Sequence, residues 1–144
     1  MAVVAPAEQF LIDKSAAARI LRPGMRDEWA DVLRAGRVSM CEPTEFEMLY
    51  SARSVADHER LRSSLRALYT WCAVPDDGWR QALELQEQMV KQGCHRAAGG
   101  VDVFVSLTAK LHGLTVLHYD RDFETIKRVT GLKTRWLAEP GSLD

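Results

Sequence analysis

Five carboxylates in this sequence stand where chemistry is done rather than where solubility is supplied. Asp13 closes the apolar run "EQFLID", and Glu47 lies inside "EPTEFEMLYSAR". Asp102 opens "VDVFVSLTAKLHG", while Asp120 and Asp122 flank Arg121 in "HYDRDFE", directly after the β-branched run Leu114–Leu117. Carboxylate oxygens are hard ligands, and a divalent cation offsets the repulsion that gathered acids would otherwise suffer. Three chemistries fit such a set: a calcium loop, a phosphate-accepting pocket and a metal-dependent nuclease.

The calcium loop fails on its own spacing. A twelve-residue loop starting at Asp120 needs Gly where Thr125 stands and a bidentate Glu where Gly131 stands. The phosphate-accepting pocket stays open but lacks its second acid. In "LIDKS" a serine, Ser15, takes the place where phosphatases carry another aspartate, and Asp76 and Asp77 come only after Pro75. Each acid also has a plainer reading. Asp102 and Asp122 suit helix caps, Asp13 suits a turn, and Glu45 and Glu47 suit the start of a helix.

The elements that must position these acids follow from periodicity. "EQFLID" reads as a short buried strand, "RVSMC", "YTWCAV" and "LTVLHY" as further short strands, and "KTRWLA" as a possible fifth. Between them lie amphipathic stretches: "AAARILR" with Ser15 as its cap, "MRDEWADVLRAG", "EPTEFEMLYSAR" with a Phe46, Leu49, Tyr50 stripe, "ADHERLRSSLRAL", "DDGWRQALELQEQMVKQG", "VDVFVSLTAKLHG" capped by Asp102, and "RDFETIKRVTG". Strands alternating with helices predict an α/β fold, a three-layer arrangement with a central, mainly parallel sheet of about five strands flanked by helices. In an open parallel sheet, functional groups gather beyond the carboxyl ends of the strands, where Asp13 and Asp120 fall.

Bulk properties set the frame. With 144 residues, 47% hydrophobic and 27% charged, the chain reads as one domain over 1–144, with residues 1–8 a flexible N-terminal arm. A net charge of −1 excludes a grossly basic nucleic-acid binder but not a local basic rim. No apolar run approaches the ~18 residues that span a bilayer, and "MAVVAPAEQF" lacks the basic start of a signal peptide. Cys41, Cys72 and Cys94 are scattered without a CxxC pair, which points to reduced thiols and a cytoplasmic protein. His95, His112 and His118 form neither a relay nor a zinc set and are given no catalytic part. Trp29, Trp71, Trp79 and Trp136 are expected to serve packing.

At these acids the sequence resembles the PIN-domain ribonucleases, and among them the VapC toxins of bacterial toxin–antitoxin pairs. "LIDKSAAARI" is similar to the family's opening strand and aspartate, with Ser15 at the small-hydroxyl position. "PTEFEMLYSAR" is similar to its Thr-x-x-Glu helix, which puts Thr44 and Glu47 on the motif and leaves Glu45 outside. "VDVFVSLTAKLHGLTVLHYDRDFETI" resembles its most diagnostic segment, with Phe123 expected to pack beneath Asp120 and Asp122. Three departures keep every acid: Lys14 for Thr or Ser, Ser106 and Leu107 for small alanines, and Gly99–Gly100 for a proline-containing approach.

The resemblance implies an endoribonuclease toxin of a type II toxin–antitoxin system, dependent on Mg2+ or Mn2+, acting on tRNA or another structured RNA. Asp13 and Asp102 would be inner metal ligands, Glu47 and Asp120 would complete the site, and Asp122 would stand at its edge. Ser15 and Thr44 would support them, and hydrolysis through a metal-activated water would leave a 3′-hydroxyl and a 5′-phosphate. Lys14, Arg19, Arg22, Arg53 and Arg121 are candidates for phosphate contacts. A homodimer and a VapB-type antitoxin are implied as well, with the antitoxin's C-terminal segment covering the acidic cleft and gripping helices around residues 26–34 and 44–68. The alternatives are a catalytically silent PIN scaffold and a Mg2+-dependent phosphatase.

Overall fold

In a computed structural model of the chain, which describes Ala5 and residues 7–144, Phe10, Leu11 and Ile12 are all fully buried. A strand apolar on both faces belongs in the middle of a sheet covered from both sides. That is its place. The elements run β1 (Phe10–Ile12), α1 (Lys14–Ala17), α2 (Met25–Arg34), β2 (Val38–Cys41), α3 (Glu42–Leu49), α4 (Val55–Leu68), β3 (Thr70–Cys72), α5 (Gly78–Lys91), α6 (Gly100–His112), β4 (Thr115–His118), α7 (Asp122–Thr130) and β5 (Thr134–Trp136). The sheet order is β3-β2-β1-β4-β5 with every pair parallel, as the α/β reading expects.

Strand alternation divides the core in two. Phe10, Ile12, Val38, Met40 and Leu117 face Ala16, Ile20, Trp29, Val32 and Leu65 of one helical layer. Leu11, Cys41 and Val116 face Leu85, Met89, Val105, Phe123 and Ile126 of the other. Glycines at +67° and +71° in φ, Gly113 and Gly131, end α6 and α7 in the left-handed conformation that frees the last carbonyls to accept.

Several expectations need correction. Asp13, not Ser15, caps α1, because the Asp13 carboxylate accepts from Ser15 N–H, and regular helix covers only Lys14–Ala17 before the chain turns toward Pro23. Gly99 occupies the cap of α6, so Asp102 lies three residues inside it. The apolar stripe of α3 is split: Leu49 packs against the core, but Phe46 is 75% and Tyr50, at the helix end, 87% exposed. Trp29 and Trp136 pack inside, but Trp71 on edge strand β3 and Trp79 on α5 are mostly exposed. Residues 1–4 and 6 of the expected arm lie outside the described residues. Ala5 and Glu8 are held by the Arg37 guanidinium, which donates to both carbonyls.

Trp29 anchors the first layer. It is fully buried, meets Phe10 edge-on at 5.5 Å, and donates Nε1–H to the Leu137 carbonyl at 3.3 Å. Trp29→Ala is expected to cost about 3–5 kcal/mol, measured by urea unfolding. A loss below about 1 kcal/mol would show that this layer is not packed around the indole.

Candidate active site

The sheet order reverses between β1 and β4, the point where open parallel sheets leave a crevice. Asp13 follows β1 and Asp120 follows β4, so topology alone brings acids 107 residues apart to one edge. Glu47 reaches the same edge from α3, and Asp102 from the first turn of α6. These four acids, with Lys14, Ser15, Arg19 and the Gly99–Gly100 backbone, line one open cavity of about 400 Å³.

Asp13 is the most constrained. Ser15 donates to its Oδ2 from both N–H at 3.0 Å and Oγ at 2.7 Å. The same Ser15 Oγ accepts the Tyr119 N–H at 2.8 Å, so a single hydroxyl staples the end of β4 to the end of β1. Asp13 Oδ1 has no hydrogen-bond partner and is the only buried side-chain oxygen or nitrogen so placed among the described residues. Burial raises the Asp13 pKa, partly countered by the Ser15 bonds.

Asp102 carries the strongest electrostatic signature. Its pKa is pushed up to about 7, first by burial, then by Asp13, with Asp120 and Glu47 acting the same way. Its Oδ2 turns back to accept the Gly99 N–H at 3.3 Å. One turn on, the buried Ser106 hydroxyl is satisfied by the Asp102 carbonyl at 2.8 Å, which accounts for a polar residue where a small apolar one would also fit. Glu47 pairs loosely with Lys14 at 3.9 Å. Thr44, one turn earlier on α3, is fully buried with Oγ1 3.7 Å from Cys41 Sγ, a support for the helix rather than a wall of the cavity.

Asp120 is set by a network that sequence reading missed. Its N–H donates to His118 Nδ1 at 3.1 Å, and its Oδ1 accepts the Asp122 N–H at 2.9 Å. Since His118 Nδ1 must accept, the imidazole is the neutral Nε2–H form and donates to Glu124 Oε2 at 2.9 Å. Burial favours that neutral form. Thr134 Oγ1 donates to the same Glu124 oxygen at 2.7 Å, and the rings of Phe123 and Trp136 flank the imidazole at 5.3 and 4.7 Å. Phe123 is fully buried. The local signal available was a histidine ending an apolar strand and a glutamate six residues later.

Not every candidate is brought in. Asp122 opens α7 and feels Asp120, but it does not line the cavity. Among the basic candidates Lys14 and Arg19 line it; Arg22, Arg53 and Arg121 do not. As they stand, no three His, Cys, Asp or Glu side chains among the described residues are gathered closely enough to hold a metal ion. Three of the acids are engaged with other groups: Asp102 accepts from Gly99 N–H, Glu47 pairs with Lys14, and Asp120 accepts from Asp122 N–H. The donor set nevertheless suits a hard divalent cation. It is all carboxylate, it faces one cavity, and Asp13 Oδ1 has no other partner.

Comparison with known proteins agrees with this geometry. The family model described as "PIN domain" matches residues 10–129. The chain belongs to the PIN-domain family. Within that family, it is 35% identical to Ribonuclease VapC21 of Mycobacterium tuberculosis over 134 residues, 93% of this chain and 97% of the relative. It is 32% identical to Ribonuclease VapC51 of the same organism, covering 94% and 98%. The crystal structure of DNA-bound VapBC from Salmonella typhimurium superposes with a TM-score of 0.73 at 17% identity, over 91% of this chain and 99% of that one. These likenesses make the chain a VapC-type PIN domain and support its three-layer fold.

The Asp102 shift has a consequence for stability. A carboxyl raised from 3.8 unfolded to about 7 folded stabilises this PIN domain below pH 3.8, and that contribution is lost as pH rises through 7. Metal-free protein should therefore melt at progressively lower temperature between pH 4.5 and 7.5 relative to Asp102→Asn. Parallel melting curves for the two proteins across that range would contradict the assignment.

Proposed function

We propose that this VapC-type PIN domain is a Mg2+- or Mn2+-dependent endoribonuclease, the toxin of a type II toxin–antitoxin pair, hydrolysing phosphodiester bonds of tRNA or another structured RNA. The observation that carries the proposal is the buried Asp13, with one oxygen fully bonded and the other unpartnered, facing Asp102, Asp120 and Glu47 across one cavity. The ribonuclease names of relatives 35% and 32% identical over nearly the whole chain support it.

Asp13 and Asp102 would hold the cation, with Glu47 and Asp120 completing its surroundings. Bound there, it supplies a Lewis acid and a water of lowered pKa. The chain's own residues do the positioning. Ser15 fixes the Asp13 rotamer, and neutral His118 fixes the Asp120 backbone. Lys14 and Arg19 stand on the wall where a scissile phosphate would lie. Asp122 would stand at the edge, its N–H donated to Asp120 Oδ1.

A VapB-type antitoxin is the proposed partner, supported by solved structures of VapBC complexes that share this fold. Of the two helical faces expected to grip it, Trp29, Val32 and Leu33 of α2 are buried in the core, whereas Phe46, Tyr50 and Val55 of α3 and α4 are open. The grip is therefore assigned to those three, beside Glu47. The exposed Trp79 and Leu83 of α5, an element with no residue in the cavity, are assigned to contact between two copies of the chain. No described helix is long and apolar enough to cross a membrane, and a cytoplasmic location is part of the proposal.

Purified protein freed of antitoxin should cut total bacterial RNA at discrete sites with magnesium or manganese and not with chelator. Asp13→Asn and Asp102→Asn should each lose on the order of 100-fold or more in rate while keeping the fold. Folded variants that cut as fast as wild type would remove the site from the chemistry. Absence of any cleavage would favour a silent scaffold, and release of phosphate from small phosphoesters instead would favour a phosphatase.

A further inference from the structure

The wall of the cavity continues outward into a second charged cluster. Arg19 lines the cavity and is tied in place, with Nη1 donating to the Ser15 carbonyl at 2.7 Å and its guanidinium 4.9 Å over the Tyr119 ring. Its remaining edge is turned to a carboxylate from the far end of the sequence. Arg19 Nε donates to Asp144 Oδ2 at 2.8 Å, Nη2 donates to the same oxygen, and Arg22 Nη1 donates to Oδ1 at 3.0 Å. The tail is laid there by its backbone: Leu143 N–H donates to Tyr119 Oη at 2.9 Å, and Arg22 also donates to the Leu143 carbonyl at 2.9 Å.

We propose that Arg19 and Arg22 form a seat for a backbone phosphate of the RNA substrate, and that the Asp144 carboxylate fills this seat until RNA displaces it. The proposal rests on the nuclease reading and adds a regulation of the same site. Two guanidiniums converging on both oxygens of one anion present donors that match a phosphodiester as well as a carboxylate. The seat adjoins the acidic cavity through Arg19 and Ser15, where the chain flanking a bound scissile phosphate must run. Both arginines and Asp144 remain partly open to solvent, so the internal pair contributes little stability and can be exchanged. Arg53 and Arg121, absent from this cluster and from the cavity wall, are not given the same part.

The test uses the full chain carrying Asp13→Asn, to prevent cleavage, and a short fluorescent single-stranded RNA of mixed sequence in magnesium, read by anisotropy. Adding Asp144→Asn should tighten binding roughly three- to ten-fold, the effect of removing a competing exposed ion pair. Adding Arg19→Gln and Arg22→Gln should weaken it roughly ten-fold and flatten its salt dependence. With both arginines replaced, Asp144→Asn should give no gain. A gain of the same size without the arginines would mean general charge repulsion and overturn the seat, as would no change on Asp144→Asn. A change in antitoxin capture but not in RNA binding would overturn it too. Cleavage by protein with Asp13 intact, read in parallel, separates the two claims. Cleavage without an Asp144 effect on binding leaves the nuclease and removes the seat, and the converse leaves the seat and removes the nuclease.

Discussion

A carboxylate buried at the end of the central strand is costly unless its oxygens find partners, and Asp13 finds them for only one. Much of the active edge is arranged around that imbalance. Ser15 stands two residues on, close enough to give both its N–H and its hydroxyl to Oδ2. Because its Oγ also accepts Tyr119 N–H, the group that stabilises Asp13 fixes the end of the neighbouring strand. The Asp13 N–H donates to the Leu117 carbonyl at 2.9 Å, a second tie between the same two strands. Thus the residue most in need of an external partner sits where two bonds tie the ends of β1 and β4 together, the condition for a preorganised site.

The second half of the site is built differently. Asp120 follows the strand, its carboxylate accepts the first N–H of α7, and its own N–H is held by the His118 imidazole. His118 can serve only while one ring nitrogen is a bare acceptor, and burial between Phe123 and Trp136 favours that form. Glu124 and Thr134 then fix the other nitrogen as donor. A chain of bonds therefore runs from β5 through α7 to the Asp120 loop, so packing at the sheet edge reaches the acids.

How far the sequence disclosed this depended on the range of the interaction. The central strands were legible because apolar β-branched runs have few other homes, and Asp13 and Asp120 were legible because they follow those runs. Asp102 was read as the cap of its helix, where the structure puts Gly99. Aspartate favours both the cap and the third position of a helix, and only the extended backbone of Gly99 decides between them. The Phe46, Leu49, Tyr50 stripe shows the same limit, since periodicity identifies a face but not what covers it. His118 was passed over although Glu124 stands only six residues on, because the residues that hold this pair in place, Trp136 against the ring and Thr134 on Glu124, come from β5. Asp144 meets Arg19 across 125 residues, a separation at which only the folded chain brings charges together.

An acidic cleft that must receive a polyanion has a conflict built into it, and the distribution of charge in this cavity divides the problem. The floor is carboxylate, so a phosphate can approach only where a cation neutralises it or where the wall is basic. Lys14 and Arg19 supply that wall, yet neither is idle in the free protein: Lys14 leans on Glu47, and Arg19 is held by Asp144. Each basic side chain has an internal carboxylate whose place an external anion can take. In the free protein both basic groups of the wall are thus engaged, by pairs that are weak because they are open to solvent. On the proposed mechanism, neutralising the floor would release Lys14 from Glu47 for the substrate, whereas releasing Arg19 would require moving the tail. The two basic groups consequently answer to different events, one to the state of the acids and the other to a segment that touches none of them.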